Sequence, residues 1–140
     1  MSPESEQLVR ESWERIRPMG DDVVKAFYAR LFEQNPAAVA MFASTDMGEQ
    51  RRKFVLMLTE IVRVIDQPEL LVGEVADSGR RHVRYGVHDR DYADVGAALL
   101  WAIEQAHGQD FTIELHAAWR EAYELLAAVM RRAAAVARGA

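Results

Sequence analysis

Apolar residues recur three and four positions apart along almost the whole chain, and proline or glycine interrupts them at short intervals. That spacing gathers side chains onto one face of an α-helix, whereas a half-buried strand needs an alternation of period two that no window sustains. The pattern therefore demands an all-α fold of about seven helices, each burying one stripe against its neighbours.

Ser2-Pro3-Glu4 opens the first helix with a hydroxyl cap, a proline in the first turn and a carboxylate near the positive dipole end. Leu8, Val9, Ser12, Trp13 and Ile16 form its inner face, and Pro18 and Gly20 are expected to stop it. Asp21-Asp22 starts the second helix, with Val24, Phe27, Tyr28, Leu31 and Phe32 along one side. Asn35-Pro36 breaks it and begins a short helix reaching Met41-Phe42. A polar corner follows, with Asp46 as the expected cap of a long helix stepping through Met47, Gln50, Phe54, Leu58, Ile61 and Ile65 to Pro68.

A weaker helical pattern runs from Pro68 to about Val83, punctuated by Gly73 and Gly79. Tyr85 to His88 reads as a linker, and Asp89 as the cap of a helix carrying Tyr92, Val95, Leu99 and Ile103 to His107-Gly108. Thr112 caps the last, with Leu115, Trp119, Ala122, Leu126 and Val129 inward. No repeat, low-complexity tract or linker divides the chain, so residues 1–140 are expected to form one domain.

At 140 residues the chain can bury a substantial core. It has no cysteine, which excludes disulfides, thiolate zinc sites, iron–sulfur clusters and cysteine nucleophiles. The formal charge of -5 argues against general nucleic-acid affinity. Arg51-Arg52-Lys53, Arg80-Arg81 and Arg131-Arg132 are basic clusters surrounded by acidic residues, and solvated helix faces explain all three. The opening MSPESEQLVRESW lacks the basic head and apolar run of a signal peptide, and no uncharged apolar stretch approaches the roughly 18 residues that span a bilayer. A cytoplasmic protein that binds neither nucleic acid nor membrane is the expectation.

Catalytic signatures are scarce. Glu104 and His107 have the Glu-x-x-His spacing of di-iron bundles, but such sites need two of these motifs plus two further glutamates. His107 beside Gly108 instead suits a helix C-terminus, where an imidazole meets the dipole favourably. Neither a His-Glu-x-x-His zinc motif nor a Gly-x-Ser-x-Gly elbow is present, and no glycine-rich phosphate loop leads from a strand into a helix.

More unusual are polar residues on apolar stripes. Tyr28 follows Phe27 on the inward face of the second helix, and Gln50 lies one turn before Phe54. A buried hydroxyl or amide without a partner costs on the order of 1–3 kcal/mol. Taken singly, each reads as a core or boundary residue with a backbone partner. Taken with His82, set between arginines in GRRHVRYGVHDRDY, they can line one cavity with an imidazole on one wall and two hydrogen-bonding groups on the other. That arrangement suits a cofactor whose iron takes the imidazole below and a small polar ligand above.

The ordered set Asn35-Pro36 to Met41-Phe42, Gln50, Arg80-Arg81-His82, Tyr85-Gly86-Val87, Tyr92, Phe111-Thr112, Ala118-Trp119 and Ala122-Tyr123 resembles the globins. It is similar in particular to bacterial single-domain haemoglobins and to the globin domain of flavohaemoglobins. The resemblance covers nearly the whole chain and implies a single globin domain around a haem b pocket. It makes His82 the proximal ligand of the iron, its other ring N–H held by a backbone carbonyl or polar neighbour. It sets Phe42 against the porphyrin face and makes Tyr28 and Gln50 the distal pair donating to dioxygen. Lys53 and Arg81 become candidates for pairing with the propionates, and Val87, Tyr92, Val95 and Leu99 complete an apolar wall. His88, His107 and His116 match no ligand position.

Two departures from the family pattern stand out. Phe54 replaces the usual aliphatic residue above the haem, so it is expected to narrow the distal space and hinder larger ligands, or to push Tyr28 and Gln50 into altered poses. Counting forward from Trp119 puts Val136 where related globins carry a glutamate coupled to the proximal side, which predicts a less imidazolate-like His82 and a weaker push toward O–O cleavage.

The resemblance implies reversible binding of dioxygen, nitric oxide and carbon monoxide, with oxygen transport as one use. One alternative is nitric oxide dioxygenase, a detoxifying activity that would need a separate reductase. Another is a gas sensor acting through a partner, and a helical bundle without cofactor is the blandest.

Overall fold

The computed structural model describes residues 1–84 and 88–139, the side chains of residues 78–84, 89 and 138 excepted. Among the described residues there are seven α-helices and no strand: α1 Pro3–Ile16, α2 Gly20–Gln34, α3 Ala37–Met41, α4 Met47–Arg63, α5 Pro68–Arg84, α6 Asp89–His107 and α7 Ile113–Gly139. Single 3-10 turns at Arg17–Met19 and Gly108–Asp110 lead into α2 and toward α7.

The expected caps form where the sequence puts them. The Ser2 hydroxyl accepts from the Ser5 amide at 3.1 Å, the Asp46 carboxylate from Glu49 at 3.1 Å and the Thr112 hydroxyl from Leu115 at 3.1 Å. The cap of α6 differs from expectation. His88, not Asp89, holds the N-cap position, and its amide donates to the Asp91 carboxylate at 2.7 Å. Asp91 also accepts from the Asn35 side chain at 3.0 Å, which ties the end of α2 to the start of α6.

Pro18 does not open a gap. It sits in the first turn of a 3-10 segment, where its missing N–H costs nothing, so α1 passes almost directly into α2. Gly20 serves packing: a Cβ there would lie 3.1 Å from the Val55 side chain, so its absence lets α2 approach α4 closely. Pro68 opens α5 as much as it closes what precedes, and α5 continues through Gly73 and Gly79 despite their poor helix propensity. Gly108 adopts a φ of 61°, a conformation that suits glycine, and α6 ends there as expected.

Helix α1 packs on α7 and α4, α2 crosses α6 and α4, and α5 lies along α7. The main core gathers Val9, Trp13, Ile16, Val24, Phe27, Leu31, Leu58, Ile103 and Trp119; a second cluster joins Ile61, Val64, Leu71 and Val75 under α7. Full burial of a side chain of this size stabilises by about 1.5–3 kcal/mol, so the interlocked stripes hold the helices together. Several polar atoms inside the core are paired. The Trp13 indole donates to Thr59 at 2.9 Å, and the Trp119 indole donates to the buried Ser12 hydroxyl at 2.8 Å. The Ser12 hydroxyl is also hydrogen-bonded to His107 Nε2 at 2.6 Å, with the imidazole tautomer deciding which of the two donates.

Candidate functional site

Two helices bring the polar pair together. Gln50 occupies the first turn of α4, four residues before Phe54 and so on the same face. Tyr28 projects from the buried stripe of α2 and is only 5% exposed. Gln50 Nε2 donates to Tyr28 Oη at 3.0 Å. Burial raises the Tyr28 pKa, outweighing the Gln50 bond that lowers it, so the phenol stays neutral and keeps its proton.

Aromatic rings fix that phenol. Phe27 lies 4.8 Å from the Tyr28 centroid, Phe42 5.3 Å, Phe32 5.8 Å and Phe54 5.9 Å, with Phe42 and Phe54 both presenting near-perpendicular planes. Such edge-on contacts favour defined orientations. Among the described residues, nothing accepts the Tyr28 hydroxyl proton. An unmade bond at a buried donor costs about 1–3 kcal/mol.

The remaining site residues divide into three groups. Phe42, Phe54, Val95 and Leu99 belong to the same hydrophobic core cluster as Tyr28. Lys53 is exposed on α4. Its neighbours Arg51 and Arg52 are engaged by Asp21 and Glu49, which leaves Lys53 as the member of that trio without a carboxylate partner among the described residues. His82 and Arg81 fall in the last turn of α5, but their side chains lie outside the described residues, as does Val87. Among the described residues, no group of three His, Asp or Glu could hold a metal ion.

Tyr92 is buried and lines a different feature, a surface groove of about 400 Å3 between α6 and α7. The Arg131 guanidinium sits over its ring at 5.2 Å, within cation–π range. The Tyr123 hydroxyl donates to the Tyr92 carbonyl at 2.5 Å, and the Tyr123 ring lies where a side chain on Gly96 would be. Val136 does not face inward: it is 65% exposed, and Ala134 is the buried residue of that turn. Two positions along a helix rotate a side chain by about 200°, which accounts for the difference. Neither residue carries a carboxylate, and the charge above Tyr92 is positive.

Sequence reasoning missed the support given by Phe27 and Phe32. Their spacing with Tyr28 along α2 was the available signal. It also missed the part played by Ser12 and His107, although Ser12 stood out as a polar residue on an inner stripe.

Comparison with known proteins agrees with this architecture. The globin family model matches residues 25–130. A flavohemoprotein of Xylella fastidiosa is 32% identical over 139 residues, covering 98% of this chain and 35% of that protein. A flavohemoprotein of Bordetella pertussis is 31% identical over 129 residues, covering 91% of this chain and 32% of its own length. Neuroglobin of Chaenocephalus aceratus is 27% identical over 143 residues, covering 93% and 90%. The chain thus spans about a third of the flavohemoproteins it matches and is of similar length to the neuroglobin. With its all-helical order and a family match across most of its residues, the chain belongs to the globin family.

Proposed function

We propose that this chain is a haem b globin that reversibly binds dioxygen, nitric oxide and carbon monoxide. Haem, when bound, supplies an iron centre that takes a diatomic gas as its ligand. The observation that carries the reading is the Tyr28 hydroxyl, buried, held by Gln50 and caged by rings, with its own proton unspent. A neutral donor fixed in a low-dielectric wall stabilises a guest that develops negative charge, because it is already oriented and needs no rearrangement of water.

The other roles follow the chain's own chemistry. His82 would hold the cofactor through a ring nitrogen, and Phe42 would pack against its face. Lys53 and Arg81 would pair with its acidic groups, while Val87, Tyr92, Val95 and Leu99 would exclude water around it. The Gln50–Tyr28 bond, present beside Phe54, supports the pair acting together as the distal couple. A single domain spanning residues 1–140 in the cytoplasm is the matching setting.

The similarity to flavohemoproteins supports a second reading, nitric oxide dioxygenase served by a separate reductase. Rapid mixing of the oxygenated protein with nitric oxide, followed by repeated turnover with added reductase, tests it. For the main reading, the test is the absorption spectrum of the protein reduced with dithionite and exposed to carbon monoxide. A strong Soret band that shifts on carbon monoxide addition, and is altered in His82→Ala, is expected. An unchanged ferrous–carbon monoxide spectrum in His82→Ala would remove His82 from the proximal role.

A further inference from the structure

We infer that the groove between α6 and α7 is where a second copy of this chain docks, the two α7 helices lying antiparallel about a two-fold axis. The groove has a volume of about 400 Å3 and follows one stripe of α7, formed by His116, Arg120, Glu124, Ala127 and Arg131. Those positions recur at three and four residues, so they share one helix face. Opposite them, Ala93, Gly96 and Ala97 keep the α6 wall low. At one end Arg131 covers the Tyr92 ring at 5.2 Å, and the Tyr123 hydroxyl is already spent on the Tyr92 carbonyl.

The stripe is complementary to its own reverse, and that selects the occupant. A two-fold interface sets residue i against residue j and j against i, so the patch must match itself read backwards. Arg120 and Glu124 lie equally far on either side of Ala122, and so do Ile113 and Arg131. An axis passing α7 at the level of Ala122 therefore sets Arg120 against Glu124 of the second copy, and Glu124 against its Arg120. The same axis lays Ile113, which is 86% exposed and continues the stripe one turn before His116, on the aliphatic stem of the second copy's Arg131. Within one chain Arg120 Nε reaches Glu124 at 3.3 Å, but both side chains are 66% exposed. An exposed pair of this kind contributes little, so its members exchange partners across an interface at almost no loss. The formal charge of -5 drives copies apart, and opposite charges at matching positions overcome that locally and fix the register. The two-fold also closes the assembly at two chains.

The test is sedimentation velocity on the full chain, as isolated from the expressing cell, at about 1–300 µM. The wild type is expected to pass from one to two chain masses over that range and to go no further. Arg120→Glu and Glu124→Arg each set like charges against one another across the axis, so each should weaken association by at least about tenfold. Mixed in equal amounts, the two variants should associate as the wild type does, because the acidic positions of one then face the basic positions of the other. Ala97→Trp fills the groove from an exposed position and should weaken association without changing any charge. All three sites are exposed, so thermal unfolding by circular dichroism should stay within about 3 °C of wild type. A wild type that remains monomeric throughout, or a dimer indifferent to all three variants, would overturn the inference. Association lost in both charge variants and not restored by mixing them would overturn the antiparallel arrangement, and with it the choice of a second copy as the occupant.

Discussion

Removing the Ser12 hydroxyl is a sharp test of how the helices are pinned. In Ser12→Ala the Trp119 indole N–H, on a residue only 3% exposed, loses its acceptor at 2.8 Å, and His107 Nε2 loses its partner at 2.6 Å. An unsatisfied buried donor costs about 1–3 kcal/mol and a lost hydrogen bond a further 0.5–1.5 kcal/mol or so, giving a combined loss of about 2–4 kcal/mol. At roughly 3 °C per kcal/mol for a chain of this size, the melting midpoint should fall by about 6–12 °C. Urea unfolding followed by circular dichroism measures the loss, with an unchanged slope as evidence that the same surface is exposed. Pairing the change with Trp119→Phe removes the stranded donor, so the double variant should cost less than the sum of the two single changes. A Ser12→Ala loss below about 0.5 kcal/mol would refute the idea that this buried chain of bonds joins α1, α6 and α7.

The same network carries a pH signature. Burial, with the Arg15 charge nearby, lowers the His107 pKa, while the Asp110 carboxylate opposes them. The unfolded chain therefore takes up a proton near pH 6.5 that the folded protein refuses, and this stability is present above pH 6.5 and lost as the pH falls through the folded value. The wild type should show a steeper loss than His107→Gln on acidification from pH 6.5, and identical slopes in urea titrations would contradict the assignment. Gly96→Ala should destabilise by about 1–3 kcal/mol, because the new Cβ would lie 2.5 Å from the Tyr123 ring. The sign is diagnostic, since glycine to alanine inside a helix ordinarily stabilises by up to about 1 kcal/mol; a stabilised variant in denaturant unfolding would show that α6 and α7 are not in close contact there.

Much of the helical layout is legible in residue order because caps are local. Ser2, Asp46 and Thr112 each satisfy an amide three residues ahead, and such pairs need no tertiary information. The cap of α6 misleads because His88 rather than an aspartate takes the N-cap position, and Asp91, which accepts from its amide, is also bonded to Asn35, 56 residues away. The weaker pattern from Pro68 to about Val83 is helix α5, which continues through Gly73 and Gly79 as it packs against α7.

The Tyr28–Gln50 pair is legible because both residues interrupt apolar stripes, where a buried polar side chain must find a partner. What residue order cannot supply is which rings surround it. Phe27 and Phe54 come from different helices and meet only once α2 crosses α4. Ser12, His107 and Trp119 likewise converge from three helices, with sequence separations of 95 and 107 residues. Of the wall expected from Val87, Tyr92, Val95 and Leu99, the last two belong to the core cluster that holds Tyr28, Tyr92 also borders the α6–α7 groove under Arg131, and Val87 lies outside the described residues.

The account turns on the unspent Tyr28 proton reaching a gas in the pocket, and the dioxygen dissociation rate of haem-loaded Tyr28→Phe measures that contact. A hydrogen bond to a charged acceptor contributes about 1.5–3 kcal/mol, so dissociation should be faster than wild type by about 10–150-fold. A rate within twofold of wild type, in a variant whose carbon monoxide spectrum is normal, would contradict it.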